Sequence, residues 1–230
     1  MNTGIGDAAN LGWKLNGMIR GWGGPALLHS YSEERVPVVK WIRDLCEEST
    51  LHVGPNWAEP GMEAAGPAGD ALRHSIGERI VAEKRRELVS FGAQFGAAYV
   101  DSPVVVGDGT RPPEASFGEF TVSASPGARA PHVWLDEGRS LFDEIAHHGF
   151  TLLRIDPNAD TTPLEEAAAA RGVPLRIVTP KHKELPALYE AQLALIRPDH
   201  HVAWRGDCES SDVAAVIDIV RGASTKTRAP

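Results

Sequence analysis

A β-hairpin is predicted by the sequence Gln192-Leu-Ala-Leu-Ile-Arg-Pro-Asp-His-His-Val-Ala-Trp-Arg205. Two apolar runs, residues 192–197 and 201–205, flank the turn Pro198-Asp-His200. Proline and aspartate favour a reversal of the chain, and a short connection between two such runs favours an antiparallel pair of strands. The C-terminal half of the chain is therefore interpreted around this hairpin.

The segments on either side of the hairpin supply further strands and helices. Apolar strands are predicted at 150–155 and 173–178, with an alanine-rich helix at 163–171 between them. After the hairpin, Ser211 is expected to cap a helix. That helix carries apolar residues at helical spacing, namely Val213, Val216, Ile217 and Val220. Because the order of strand, helix, strand, hairpin and helix is thioredoxin-like, the sequence predicts an α/β fold (α+β overall) in which such a domain follows a largely helical part.

The first fifteen residues, Met1-Asn-Thr-Gly-Ile-Gly-Asp-Ala-Ala-Asn-Leu-Gly-Trp-Lys-Leu15, predict an amphipathic helix. Asn2 and Thr3 are good capping residues, and Asp7 complements the helix dipole. One set of apolar residues recurs at helical spacing and is predicted to be buried: Ile5, Ala8, Leu11, Leu15, Met18 and Ile19. The exposed start of such a helix offers free N–H groups to an anion, although a capped helix without a ligand is the commoner case.

In the segment between these two regions, glycine and proline residues indicate where helices begin and end. Pro25 follows a glycine-rich break and is placed to begin a second helix, which Pro37 should kink or end. Residues 53–69 read as a loop, a helix is predicted from Ser75 or Gly77 to residue 88, and residues 99–106 resemble a strand.

Composition narrows the classes of function. The 230-residue chain has a formal net charge of −8, which argues against nucleic acid or an anionic membrane as partner. No apolar run is long enough to span a bilayer, and no signal peptide is visible. Two cysteines, Cys46 and Cys208, are too few for a disulfide scaffold and fit a reducing, cytoplasmic location.

Four motifs in order resemble one family, the class A FAD-dependent aromatic-ring hydroxylases that act on phenols and polyketides. The first fifteen residues are similar to the family's flavin-contact segment, and Tyr31-Ser-Glu-Glu-Arg-Val-Pro37 resembles the element after it. Pro126-Gly-Ala-Arg-Ala-Pro-His-Val-Trp-Leu135 resembles the start of the family's C-terminal thioredoxin-like domain, and the hairpin resembles its end.

The resemblance implies a cofactor and a reaction. The backbone of Met1, Asn2 and Thr3 would lie against N1 and O2 of the FAD isoalloxazine, where oriented N–H groups stabilise the charge that reduction creates. In the full-length family NAD(P)H and O2 are co-substrates, and the substrate is a phenolic or polyketide aromatic ring. No catalytic residue of the family is assigned in this chain.

The resemblance also implies an organisation. Residues 1–110 would be the C-terminal part of the FAD-binding and substrate domain, 111–131 a linker, and 132–225 the thioredoxin-like domain. The sequence has no Gly-x-Gly-x-x-Gly after a strand, so we expect the isolated chain to bind no cofactor and to be inactive. The alternatives are a stand-alone interaction or homodimerisation module without redox activity, and complementation by a separately encoded flavin domain.

Other candidate chemistry has weaker support. The pairs His147-His148 and His200-His201 lack metal-ligand spacing, so no metal site is predicted and these histidines are expected to be solvated at the surface or in turns. The carboxylates of Glu33-Glu34, Glu47-Glu48 and Glu165-Glu166 are expected to face water. Four tryptophans are expected in the core: Trp13, Trp41, Trp134 and Trp204. Because Asp156-Pro-Asn-Ala-Asp160 stands where a redox domain would carry two cysteines, disulfide exchange is not expected.

Overall fold

A computed structural model describes residues 2–51 and 57–224. The chain divides into two compact units. One comprises residues 1–39, 98–113 and 121–230, and the other comprises residues 40–97 and 114–120. Both helix and sheet are present, so the predicted mixed class is confirmed, whereas the predicted domain limits at 110 and 131 stay predictions.

The larger unit contains a four-stranded sheet in the order β2-β1-β3-β4. The strands are β1 (Phe150–Arg154), β2 (Leu175–Val178), β3 (Leu193–Ile196) and β4 (Val202–Gly206). The pair β1 and β2 is parallel, while β3 is antiparallel to both β1 and β4. The predicted hairpin is the pair β3 and β4, and both other predicted strands are confirmed.

Helices of the larger unit follow the predicted order. Helix α5 (Thr162–Ala169) connects β1 to β2, a short α6 (Leu185–Tyr189) precedes β3, and α7 (Val213–Val220) follows β4. The cap of α7 is Asp212, whose side chain accepts a hydrogen bond from the Ala215 amide at 3.0 Å. The prediction of Ser211 as the cap is therefore wrong by one position.

The central strands bury both of their faces. Alternate residues of a strand point to opposite sides, so Leu152 and Leu195 pack in one apolar cluster while Leu153 and Ile196 pack in another. This two-sided burial explains why the strands appear in the sequence as continuous apolar runs.

Two long helices begin the chain, α1 (Asn2–Ile19) and α2 (Pro25–Leu51). Helix α2 begins at Pro25 as predicted and continues through Pro37, so Pro37 does not end it. A proline removes one helix hydrogen bond, and the flanking turns tolerate that loss here.

The predicted buried face of α1 is wrong. Ile5, Leu15 and Ile19 are 67%, 40% and 84% exposed. The buried positions of this helix are instead Asn10, Trp13, Lys14 and Gly17. Apolar spacing misidentifies the face because two of the inward side chains are polar: the Asn10 amide nitrogen and the Lys14 ammonium both donate to Glu34 at 2.6 Å.

The loop between α1 and α2 packs backbone to backbone against the end of α7. The Gly24 amide donates to the Arg221 carbonyl at 2.7 Å, and the Ala26 amide donates to the Gly222 carbonyl at 3.0 Å. A Cβ at Gly24 would lie 2.3 Å from the Gly222 carbonyl oxygen, and Gly222 itself has φ of 74°. Both positions therefore require glycine.

The smaller unit contains α3 (Pro67–Leu88) and α4 (Phe91–Phe95). Helix α3 begins earlier than predicted, because Gly66 at φ of 88° turns the chain and Pro67 provides a favourable first residue. Phe95 packs against both Phe91 and Phe120 in this unit.

Residues 99–106 do not form the predicted strand. They form turns, in which Val104 and Val105 are fully buried and the Val106 amide donates to the Ala203 carbonyl of β4 at 2.8 Å. Burial in an irregular segment produces the same apolar run that a strand would. Among the described helices, none is long and apolar enough to cross a bilayer.

The two motif tryptophans differ in burial, which supplies a test of the fold. Trp204 is 4% exposed in the core and Trp134 is 66% exposed, so the core prediction is confirmed for Trp204 and wrong for Trp134. We expect Trp204→Ala to lower the free energy of unfolding by about 3–5 kcal/mol because it leaves a cavity. We expect Trp134→Ala to change it by less than about 0.5 kcal/mol. Urea titrations measure both, and equal losses would contradict the packing.

Candidate functional site

The first helix opens on an exposed turn that could receive a ligand. The first N–H groups of α1 have no acceptor within the helix, and its first turn carries no acidic side chain. No described heavy atom lies within 4 Å of the place that a Cβ would occupy at Gly4. An anionic or electron-accepting edge can therefore approach the backbone closely, which fits the flavin contact that the resemblance implies.

The predicted contact residues lie at this turn only in part. Met1 is outside the described residues, Asn2 is the first residue of α1, and Thr3 lies within the helix rather than at its cap. Asp7 does not serve the helix dipole, because its carboxylate accepts a hydrogen bond from Arg35 Nε at 2.7 Å. Whether Asn2 and Thr3 contact a flavin stays a prediction.

Arg35 of α2 fixes the opening turn of α1. Besides Asp7, its guanidinium donates to the Thr3 carbonyl at 3.4 Å and to the Tyr99 hydroxyl at 3.0 Å. Burial alone would lower the pKa of Arg35, but Tyr99 and Asp7 raise it above its ordinary value. A permanently charged side chain therefore connects α2 to the first two turns of α1.

Beside Arg35, a buried ionic cluster surrounds Glu34. The Glu34 carboxylate accepts hydrogen bonds from four side chains of the described chain, at 2.6 to 2.8 Å: Asn10, Lys14, Ser102 and Arg197. The side chains of Lys14, Glu34 and Arg197 have no exposed surface. Arg197 also binds Asp199 through two nitrogens at 2.9 and 2.6 Å.

The charges of this cluster support one another. Burial raises the pKa of Glu34, but the stronger combined effect of Arg197, Lys14 and Asn10 holds it well below its ordinary range. Burial also lowers the pKa of Arg197, and Asp199 and Glu34 more than offset this. For Lys14, burial and the neighbouring Arg197 lower the pKa to about 8 despite the contact with Glu34. Two carboxylates and two cations thus balance where all four side chains are buried.

Aromatic rings enclose the Arg197 guanidinium. Its carbon lies 5.0 Å from the ring centres of both Trp13 and Tyr99, within the range of a cation–π contact. The ring centre of His201 lies 4.1 Å from that of Tyr99 with the two planes tilted by 31°, and His201 Nδ1 lies 3.0 Å from the Gly127 carbonyl oxygen. The turn of the hairpin is thereby packed against α1 and the segment at Tyr99.

A second arginine of the hairpin reaches another loop. Arg205 Nε donates to Asp108 at 2.6 Å, and its other nitrogens donate to the Tyr189 carbonyl at 2.8 Å and the Thr110 hydroxyl at 3.2 Å. The two ends of the motif at 197–205 therefore bind two different parts of the unit.

Several sequence predictions for these side chains are wrong. Glu34 does not face water as Glu33 does, and His201 is 7% exposed rather than at the surface. His147 and His148 are exposed, as expected. The cluster was missed because its members lie up to 189 positions apart in the sequence, as Asn10 and Asp199 do. The available signal was the combination of Glu34 in one motif and Arg197 in another.

The cysteines are separate from this cluster. Cys46 is exposed and Cys208 is half-buried, and neither forms a disulfide. Burial raises the pKa of the Cys208 thiol, which makes it a poor nucleophile.

Two family models match the chain. Residues 1–45 match the FAD binding domain, and residues 123–223 match the C-terminal region of aromatic-ring hydroxylases. The ionic cluster joins these two matched regions, because Asn10, Lys14 and Glu34 lie in the first and Arg197 and Asp199 in the second.

Similar proteins include monooxygenases, one of which is named as FAD-dependent. The FAD-dependent monooxygenase apdD of Emericella nidulans is 34% identical over 94% of this chain and 36% of its own length. The tetracenomycin B2 monooxygenase-dioxygenase of Streptomyces olivaceus is 35% identical over 94% of this chain and 38% of its own length. The chain therefore spans less than two fifths of these relatives.

Solved structures show the same architecture. The rebeccamycin biosynthetic enzyme RebC, in a structure with bound 7-carboxy-K252c, superposes with a TM-score of 0.86 at 40% identity, covering 97% of this chain and 42% of that chain. The flavin-dependent monooxygenase PieE, in complex with FAD and substrate, superposes with a TM-score of 0.78 at 26% identity. The match covers 97% of this chain and 44% of the PieE chain.

The neighbouring glutamates of α2 provide a matched test of the ionic cluster. Glu34→Gln leaves Arg197 and Lys14 buried beside a neutral group, so we expect the free energy of unfolding to fall by about 3–5 kcal/mol. The exposed Glu33→Gln should change it by less than about 0.5 kcal/mol. Denaturant titrations compare the two, and similar small effects would show that the cluster adds nothing to stability.

Lys14 should give the protein a dependence on alkaline pH. Its pKa falls from 10.5 to about 8 in the folded chain, so the unfolded chain binds more protons between these values. The contribution of Lys14 to the free energy of unfolding therefore rises as the pH increases from about 8 to 10.5. Urea titrations across this range should show the rise in the parent protein and in the exposed control Lys40→Met. Curves for Lys14→Met that run parallel to the parent would disprove the assignment.

Proposed function

Because the chain belongs to the FAD-dependent aromatic-ring hydroxylases, we propose that it forms the C-terminal portion of an enzyme that hydroxylates a phenolic or polyketide aromatic ring with NAD(P)H and O2. The observation that carries this proposal is the open first turn of α1, which Arg35 and the cluster at Glu34 hold in place. FAD, when bound, supplies the redox chemistry and the activation of oxygen.

The residues of this chain would act on the flavin by position and charge. The backbone N–H groups at Met1, Asn2 and Thr3 would face its pyrimidine edge, where they stabilise negative charge without having to reorganise. Arg35 would keep that turn in place through the Thr3 carbonyl. Because the Asp7 carboxylate pairs with this guanidinium, Arg35 would act through the position of the turn rather than through a net charge.

The C-terminal domain would serve as a structural support for the flavin helix. In this proposal residues 132–225 are thioredoxin-like, residues 111–131 are a linker, and the hairpin supports α1 through Arg197. We place the enzyme in the cytoplasm, without nucleic acid or membrane partners and with a homodimer as an option for its assembly.

A chimaera tests this role. The chain would replace the matching C-terminal part of RebC, to which it is 40% identical, and be compared with the 230-residue polypeptide alone. A single exposed helix terminus contributes only about 0.3–1 kcal/mol, so we expect the polypeptide alone to purify without flavin and the chimaera to retain FAD. Absorption spectra measure the FAD content. A stoichiometric flavin in the polypeptide alone, or a folded chimaera without FAD, would contradict the proposal.

Two arginines of α2 refine the test. In the chimaera, Arg35→Gln should weaken FAD retention on the order of tenfold, equivalent to about 1.4 kcal/mol, because the first turn of α1 loses its partner. Arg43→Gln is the control, since Arg43 is exposed and pairs only with the adjacent Asp44 among described residues. Equal retention by both variants would remove Arg35 from the flavin site and leave it a stabilising residue only.

A further inference from the structure

The two edges of the sheet differ in how they are covered. On the outer side of β4, the Val106 amide donates to Ala203 at 2.8 Å, and the Gly127 amide donates to Val202 at 2.7 Å. Val202 in turn donates to the Ala128 carbonyl at 2.9 Å. This edge is therefore paired with chain segments, as exposed edges usually must be. The opposite edge is β2.

The register shows which backbone groups face outward from β2. Phe150 pairs with Leu175, and the Phe150 amide donates to the Pro174 carbonyl at 3.0 Å. In a parallel pair, a hydrogen-bonding residue of one strand bonds to the two residues that flank its partner on the other strand. Phe150 is such a residue and its partner is Leu175, so the backbone of Arg176 faces β1. The amides and carbonyls of Leu175 and Ile177 then face away from the sheet. Within the described parts of the chain, no backbone hydrogen bond reaches them from that side.

A groove of about 400 Å³ runs beside this free edge. Its apolar surface includes Leu135, Ile177 and Val178, all partly buried. The Ile177 side chain packs on one face of the sheet, and those of Leu135 and Val178 pack on the other. Free backbone groups of an edge strand beside apolar side chains are what an extended peptide needs when it adds a strand to a sheet.

The rim of the groove is cationic. Glu144 binds Arg139 at 2.9 Å and Arg176 at 2.5 Å, which positions the two guanidinium groups side by side. Each uses one nitrogen for Glu144 and stays about half exposed (60% and 49%), so further N–H donors are available. With the exposed Lys181, three cations line the groove beside the two carboxylates of Glu144 and Asp136, which leaves a formal charge of +1. The rim is positive although the whole chain has a net charge of −8.

We propose that this groove binds an extended acidic segment of a partner protein, which pairs with Leu175 and Ile177 as an additional strand beside β2. On the side of Arg176 and Val178, the side chains of such a segment would be acidic and would contact Arg139, Arg176 and Lys181. Those on the side of Ile177 would be apolar. A second copy of this chain is disfavoured at this edge, because pairing two identical edges would bring two cationic rims together.

The test uses the 230-residue protein and a short peptide of alternating valine and glutamate with blocked ends. We expect the NMR signals of the Leu175 and Ile177 amides to shift, and their hydrogen exchange to slow at least tenfold at saturation. The amide of Leu195 in the central strand β3 serves as the internal reference and should not change. Unaltered exchange at Leu175 and Ile177 would overturn the proposal, whether or not the peptide binds elsewhere.

Variants and altered peptides separate backbone pairing from charge. Arg176→Glu and Lys181→Glu should each weaken peptide binding at least tenfold, and the exposed His147→Glu should leave it unchanged. If a variant fails to fold, altered peptides still test the proposal on the unmodified protein. Neither a valine–lysine peptide nor a peptide with N-methylated valines should slow hydrogen exchange at the Leu175 and Ile177 amides. Equal protection by the lysine peptide would overturn the proposal. Two other results would also overturn it: displacement of the peptide by inorganic phosphate alone, or a dimer in sedimentation that excludes the peptide.

Discussion

The Glu34 carboxylate accepts hydrogen bonds from Arg197 and Lys14 in a space where none of the three side chains has exposed surface. Removing such charges from water costs several kcal/mol for each ion, and their attraction offsets this only when the geometry is complete. A bidentate arginine–carboxylate pair forms in only one relative orientation of the two groups. An apolar contact, in contrast, persists when the two surfaces shift against each other. Helices α1 and α2 and the turn of the hairpin are therefore positioned together or not at all.

This interdependence gives the C-terminal domain a role that does not require chemistry of its own. Its strands bury both faces in apolar clusters, and among the described residues the turn between β3 and β4 brings charged side chains to both helices. Asp199 accepts a hydrogen bond from Asn10 of α1, and Arg197 donates to Glu34 of α2. The same turn places Tyr99 and Trp13 on either side of Arg197. A rigid sheet thus supplies a fixed point, and the helix that opens toward the proposed flavin is set relative to it.

Local signals in the sequence predicted the elements well. The hairpin, α5 and the start of α2 at Pro25 follow from turn residues, apolar runs and proline geometry, all of which act within a few positions. Burial was harder to predict. The apolar spacing of α1 indicates Ile5 and Leu15 as core, whereas Lys14 is buried because Glu34 and Arg197, distant in sequence, complete its environment. Trp134 shows the opposite error: it lies in a family motif and is apolar, yet its side chain is exposed.

The contact of Gly24 and Ala26 with Arg221 and Gly222 connects the beginning of the chain to its last helix; Arg221 also donates to the Trp22 carbonyl, 199 positions away. During synthesis on the ribosome, the amino-terminal helices emerge long before the residues against which they pack. Contacts of such high sequence separation form late and slow folding. Trp13 and Trp22 of this region therefore stay uncovered until the segment up to Gly222 has been translated, and apolar surface that is exposed in this interval is prone to aggregation.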